Sequence, residues 1–224
     1  MNPTRRYKFL LTGLKSENGN TKWRKGVWKH EDNLDMCNSG FHCSKQPYQA
    51  FSYIQGEILA KVEVKGKSII RDDKECLSDM RVVKTYKLTK KESVALAIYS
   101  AKLCLKNFEK EYPNDKQPRQ AISAAVKYLK NPTKKNQATA WSAAWSAWSA
   151  GSDKPAAWSA WSAESAKSAA WLAAKSAWSA SESAWLAAKS ASESARSAAG
   201  SDKSAAIKKI QAYFNKLVRG LKEI

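Results

Sequence analysis

The spacing of apolar positions changes period twice along the chain. Near the start, Tyr7-Lys8-Phe9-Leu10-Leu11 predicts a short strand closed by Thr12-Gly13. Ser16 to Asn20 is turn chemistry, because Asn and Gly reach positive φ at little cost. Lys22 to Lys29 predicts a second strand. Gly40-Phe41-His42-Cys43 follows an Asn38-Ser39-Gly40 turn, and Pro47 suits the first turn of a short helix running to about Tyr53. From Glu57 to Val64, Ile58, Ala60, Val62 and Val64 alternate with the other positions, predicting a half-buried strand that ends at Gly66. Met80 to Leu88, rich in β-branched residues, predicts the last strand.

Beyond residue 90 the period lengthens. Val94, Ala97, Ile98, Ala101, Leu105, Phe108 and Tyr112 recur at steps of three and four, so they share one helix face. Pro113 stops that helix and Pro118 opens another, whose apolar face is Ile122, Ala125 and Leu129 and which ends at Pro132.

The third regime is built from alanine, serine and tryptophan, which fill 52 of the 69 positions from Ala138 to Ala206. Alternation is absent and alanine is the strongest helix former, so helix is predicted. Trp141, Trp145 and Trp148 share a face, and Trp158 and Trp161 repeat the step. Trp171, Trp178 and Trp185 fall at sevens. Ala150-Gly151-Ser152-Asp153 returns as Ala199-Gly200-Ser201-Asp202, each copy a C′ glycine followed by an N-cap. The boundaries predict helices near 137–150, 153–199 and 202–222. The middle one is either continuous or a hairpin broken near Ser179-Ala180-Ser181. The tryptophans supply the large apolar area, read as core or as a self-association seam, with a stacking surface for bases as the rival. In the tail, Ile207, Ile210, Phe214, Leu217, Leu221 and Ile224 form a stripe opposite Lys208, Lys209, Lys216, Arg219 and Lys222. That pattern favours docking or oligomerisation over a basic membrane-surface helix.

The predicted architecture is therefore an α+β N-terminal domain with a small mixed or antiparallel sheet, followed by an all-α region. Its parts are 1–90, a ligand-binding domain; 91–136, a helical pair packed on it; 137–206, repeat helices; and 207–224, an amphipathic basic helix.

Charge narrows the partner. Residues 1–136 hold 28 Lys+Arg against 14 Asp+Glu, whereas 138–206 hold 6 against 5. An anionic partner should meet the front domain, and a base-stacking role for the nearly neutral tryptophan stretch lacks countercharge. No apolar run reaches 18 residues, so no transmembrane helix is expected. The start lacks the apolar core of a signal peptide, and a cytoplasmic protein with reduced thiols is expected. No Cys-x-x-Cys pair is present. A zinc reading of Cys37, His42, Cys43 and Cys76 is weak, and no metal is expected. No Walker or Rossmann glycine pattern occurs.

The order from Gly40 to Val83 carries a resemblance. Gly40-Phe41-His42, a short helix with Ala50 and Tyr53, a strand ending at Gly66, and a last strand opening Ser78-Asp79-Met80-Arg81 resemble the core of ADP-ribosyltransferase folds of the poly(ADP-ribose) polymerase type. The resemblance covers about residues 5–90. It implies an NAD pocket walled by Phe41 and His42 on one strand and Tyr53 on the helix, with Tyr7 to Gly13 as the first pocket strand. Trp28 and Arg81 join the candidate ligand-binding set, which is then Tyr7, Thr12, Gly13, Trp28, Phe41, His42, Tyr53 and Arg81. Asp79 falls at the catalytic acid position. Two departures count against chemistry. Thr12-Gly13 stands where that family carries a cofactor-gripping His or Arg, and Asp79 is one methylene shorter than the usual glutamate. Asp79 is equally readable as a turn residue opening a strand.

A second resemblance covers most of the chain. Lys15 to Asn20, Trp23, Gly26-Val27-Trp28, Cys37, Gly40-Phe41-His42, Tyr112-Pro113-Asn114-Asp115 and Pro118-Arg119 resemble a family of phage and gut-bacterial proteins labelled as immunity proteins or as a domain of unknown function. It implies a counter-defence role. The expectation is a non-catalytic, oligomeric protein that sequesters an anionic nucleotide-derived ligand, such as NAD, an NAD-derived signal or a cyclic nucleotide. The rivals are an active ADP-ribosyltransferase, a nucleic-acid binder, and an inhibitor of a host defence enzyme.

Overall fold

The computed structural model describes residues 3–19, 21–54, 56–149 and 201–224. The predicted helix 153–199, with Trp158, Trp161, Trp171, Trp178 and Trp185, lies outside them. The chain divides into two compact units, residues 1–88 with 214–224, and residues 89–213. The result is a mixed α+β chain.

In the first unit the strands are β1 (Thr4–Leu10), β2 (Lys29–His30), β3 (Phe41–Cys43), β4 (Ile58–Ile70) and β5 (Glu75–Lys87). They form one antiparallel sheet in the order β1-β4-β5-β2, with β3 also on β5. Ser44, just past β3, exchanges two 2.9 Å backbone hydrogen bonds with Tyr7, so the sheet curls back onto β1. One face thereby encloses Leu10, Trp23, Ile58, Val62, Val64, Met80 and Val82, all buried. The alternation of β4 put Ile58, Ala60, Val62 and Val64 there, as a period of two requires.

Three expectations change. First, β4 does not stop at Gly66. The glycine takes φ +81° at a register shift between Lys65 and Ser68, a bulge that bends the strand without ending it. A Cβ there would come within 2.2 Å of Ser78 Oγ and 2.3 Å of Asp79 Oδ2. Second, β5 opens at Glu75, so Asp79 is an interior strand residue paired in register with His30 and Lys65, not a strand-opening one. Third, 22–29 is no continuous strand. Isolated bridges join Lys22 to Lys15 and Lys25 to Val82, and Gly26 at φ +77° turns the chain between them.

The helix α1 (Pro47–Tyr53) starts at its proline, as predicted, with Gln49 Oε1 accepting from the Gln46 N–H at 3.0 Å. It buries Phe51 against Phe9, ring centroids 5.2 Å apart, and stacks it on Phe214 at 4.8 Å. Beyond Gly220 the chain pairs with β5. The Ile224 N–H donates to the Thr85 carbonyl at 2.9 Å, and Thr85 Oγ1 donates to the Ile224 carbonyl at 2.7 Å. The predicted 202–222 helix is thus shorter, α5 (Ser201–Arg219), and its apolar stripe does not continue to Ile224 as helix.

In the second unit, α2 (Lys90–Glu111) opens with a Thr89/Glu92 capping box. Pro113 and Pro118 separate it from α3 (Gln117–Lys130), as the sequence predicts. Arg119 grips Glu109 with two 2.6 Å bonds. The helix α4 (Lys134–Ser149) buries Ala140 and Ala144, whereas Trp145 is 51% exposed with its ring edge-on to Trp141 at 5.7 Å. Within α4 the small residues make the close contact, and the tryptophan reading as core does not hold for Trp145. Trp148 lies in the same helix. Among the described residues no helix is long and apolar enough to cross a membrane.

Candidate functional site

A cleft of about 400 Å³ opens where the curled sheet meets α1. Its walls come from Tyr7, Lys8 and Phe9 on β1, Phe41, His42 and Cys43 on β3, and Ala50, Tyr53 and Ile54 from α1 and the residue after it. The rim adds the 16–21 turn, the 37–40 turn, Glu31, and Lys74 from the β4–β5 connection. The volume lies within the usual range for small-molecule sites, and aromatic walls with a few polar groups are their usual lining.

The strand periods explain the chemistry. Arg6, Lys8 and Leu10 share one face of β1. Arg6 is neutralised there by the buried Glu75 carboxylate, Nε to Oε2 at 2.6 Å. Two residues on, Lys8 Nζ donates to the His42 backbone carbonyl at 2.9 Å. Burial lowers this amine to about 8. Among the described contacts no carboxylate pairs it. His42 is turned so that its Nε2 accepts the Cys37 N–H at 2.9 Å, and Cys37 holds that position with φ +81°. Burial, reinforced by the Lys8 and Lys74 ammonium groups, lowers His42 to about 4, so the ring is neutral at pH 7. Lys74 Nζ donates to the exposed Cys37 thiol at 2.9 Å and stands 4.6 Å from the Tyr53 ring centroid. Tyr53 donates to Asp73 at 2.7 Å. Burial, with the Asp73 bond adding to it, raises the phenol to about 12. On the β3 wall, burial raises Cys43 to about 12, and the buried Cys76 thiol donates to the Ser39 carbonyl at 3.1 Å. Among the described residues no three His, Cys, Asp or Glu side chains are grouped to hold a metal ion.

The sequence-derived candidates separate into three places. Tyr7, Phe41, His42 and Tyr53 line the cleft together. Thr12 and Gly13 line a different hollow beside Lys25, Glu57 and Ile224, with Thr12 Oγ1 donating to Glu57 at 3.2 Å. Trp28, Asp79 and Arg81 lie on neither. Arg81 and Lys65 stand 4.9 and 4.6 Å from the Trp28 ring centroid, and Arg81 also grips Glu63 at 2.6 and 2.9 Å. Asp79 accepts from Ser78 Oγ at 2.6 Å and bonds His30 Nδ1 at 3.0 Å. The Ser78 bond first, then His30, holds its carboxyl below the usual range. The residues that sequence reading missed are Lys8 and Lys74. For Lys8 the signal was present: it alternates with Tyr7 and Phe9 on the strand face that carries the buried Leu10.

The two histidines should therefore titrate in opposite directions. His30, bonded by Asp32 first and Asp79 second, lies above 6.5, and His42 lies near 4. A raised histidine stabilises the fold below its unfolded value and loses that contribution as pH rises through its folded value. A depressed one contributes above 6.5 and loses it as pH falls toward 4. Proton NMR titration of the two imidazole signals checks both directions, and His42→Phe should remove the low-pH response.

The first unit is thus a half-closed antiparallel sheet with a cleft at its side. Residues 4–94 match a family described as a domain of unknown function (DUF7666), a span that contains every wall of the cleft. No curated protein and no solved structure matches the chain.

Proposed function

We propose that the cleft of the first unit binds a small anionic ligand of nucleotide type, and that the protein sequesters this ligand without transforming it. The observation that carries the reading is Lys8, a cleft-lining cation whose described partner is a backbone carbonyl. Such a group is stabilised by an incoming anion more than by leaving the cleft empty. Lys74 supplies a second cation at the rim, and Tyr7, Phe41 and Tyr53 offer rings for a base. The position of Asp79 supports a non-catalytic reading over an active ADP-ribosyltransferase. Its carboxylate is committed to Ser78 and His30, away from the cleft. A sponge for NAD, an NAD-derived signal or a cyclic nucleotide is the form this takes in a counter-defence setting. The exposed Trp145 supports assembly of copies through the helical region.

Isothermal titration calorimetry with NAD, ADP-ribose, cyclic nucleotides and nucleoside monophosphates tests the reading. A saturable heat with at least one is expected. Lys8→Met should weaken it about tenfold to a hundredfold, the worth of a charge-assisted hydrogen bond. Asp79→Asn should leave it unchanged. No heat with any member, or heat indifferent to Lys8→Met, overturns it.

A further inference from the structure

We propose that Lys8 captures its ligand covalently, its ε-amine forming an imine with the carbonyl carbon of an open-chain, phosphate-bearing sugar held in the cleft. This rests on the reading of the cleft as an anion site and concerns ligands with a free reducing-end sugar, as ADP-ribose has and NAD, cyclic nucleotides and nucleoside monophosphates do not.

Three observations converge. Lys8 lines the cleft, and its Nζ is bonded to the backbone carbonyl of His42, itself a residue of the cleft's β3 wall. Its surroundings are uncharged acceptors and weak acids: the His42 carbonyl at 2.9 Å, the neutral His42 ring, and the Cys43 and Cys76 thiols, with no carboxylate paired to it among the described residues. Arg6, one position away on the same strand face, has its carboxylate in Glu75, so the two cations are treated differently by the fold. The second cleft cation, Lys74, lines the same cleft, with its Nζ beside Cys37 and the Tyr53 ring, and is the group the proposal assigns to the phosphate.

The chemistry needs the neutral amine. With burial lowering Lys8 to about 8, a far larger share of its amine is unprotonated near neutral pH than in an ordinary lysine. Its nitrogen lone pair adds to the aldehyde carbon, and the carbonyl π pair becomes a hydroxyl after proton transfer from nitrogen. That hydroxyl then leaves as water as the C=N bond forms. Amine and aldehyde give imine and water, with nothing oxidised or reduced, and hydrolysis reverses the step.

The test uses the full chain, D-ribose 5-phosphate as probe and cyanoborohydride to reduce any imine to a stable secondary amine. Peptide mass spectrometry should find Lys8 modified at least tenfold faster than exposed lysines such as Lys25 and Lys67. Unphosphorylated ribose should react more slowly there. Lys8→Arg should lose this adduct alone, its backbone amide protection confirming that it folds. Modification of Lys8 at or below the rate of surface lysines overturns the proposal. A nucleotide heat by calorimetry with no Lys8 adduct overturns the imine and leaves the cleft reading intact. Neither heat nor adduct overturns both. An adduct without nucleotide heat supports the imine and overturns the nucleotide reading.

Discussion

Replacing Trp23 by alanine should destabilise the first unit by about 3–5 kcal/mol, the usual cost of truncating a buried large aromatic. Trp23 is 2% exposed inside the curled sheet. Its Nε1–H donates to Ser16 Oγ at 2.9 Å, its backbone N–H donates to the Leu14 carbonyl at 2.9 Å, and its ring meets Phe41 edge-to-face at 5.2 Å. Alanine keeps the backbone bond, opens a void against Phe41 and removes the partner of Ser16. Because domains are stable by only about 5–15 kcal/mol, the loss takes a large share of the total. Amide exchange at the protected positions of β4 and β5 should accelerate by roughly a hundredfold to several thousandfold, each 1.4 kcal/mol being tenfold. Ser16 and Phe41 also line the cleft, so ligand affinity should fall with stability. Trp23→Phe, which refills most of the void but donates no hydrogen bond, should lie between the two. Exchange unchanged in Trp23→Ala would contradict the assignment of this ring to the core.

The second large effect concerns the ion pair that holds β1 to the start of β5. Glu75 has a side chain only 3% exposed and receives Arg6 Nε at 2.6 Å and Arg6 Nη2 at 3.1 Å, with Lys45 Nζ at 3.7 Å. Arg6→Met should cost about 3 kcal/mol, because it leaves a buried carboxylate with one distant cation. The pair itself is not the source of that figure. The double change Arg6→Met with Glu75→Leu should recover most of it, since a buried pair replaced by apolar groups of similar volume is often neutral. Urea denaturation of wild type, both single variants and the double variant closes the cycle. A double variant no better than Arg6→Met would show that the strands depend on the charges themselves.

Much of the fold was legible where one local rule acted alone. Pro47 could open a helix and did; Pro113 and Pro118 separated two helices; the alternation from Ile58 to Val64 named the buried face. The errors arose where tertiary structure overrode local chemistry. Gly66 reads as a terminator but serves as a bulge, because the paired β5 continues past it. Glu75 to Ser78 falls before the predicted strand Met80 to Leu88, its polar residues mixed with Cys76 and Leu77. All four are buried, Glu75 by the cation on β1 and Ser78 by bonding Asp79 and the Lys67 N–H. That misplaced start moved Asp79 from a strand opening to a strand interior. The site was half legible for the same reason. Aromatic and histidine positions around Gly40 pointed to the cleft, and Tyr7, Phe41, His42 and Tyr53 do meet there. Lys8 and Lys74 are distant in sequence and come together only through the curl of the sheet, which no local pattern encodes. In α4 the large residues drew attention, yet Ala140 and Ala144 make the buried contact, since small side chains let helices approach closely.

The central claim is that an anionic, nucleotide-type ligand occupies the cleft between β1, β3 and α1. Cys37 reports on it directly, because its thiol is exposed at the cleft rim beside Lys74 whereas Cys43 and Cys76 are buried. The measurement is the rate of Cys37 alkylation by iodoacetamide, followed by peptide mass spectrometry, with and without a nucleotide at a concentration that saturates the calorimetric heat. Occupation of the cleft predicts that bound ligand slows Cys37 alkylation several-fold. An unchanged Cys37 rate at saturating nucleotide would place the ligand elsewhere and contradict the account.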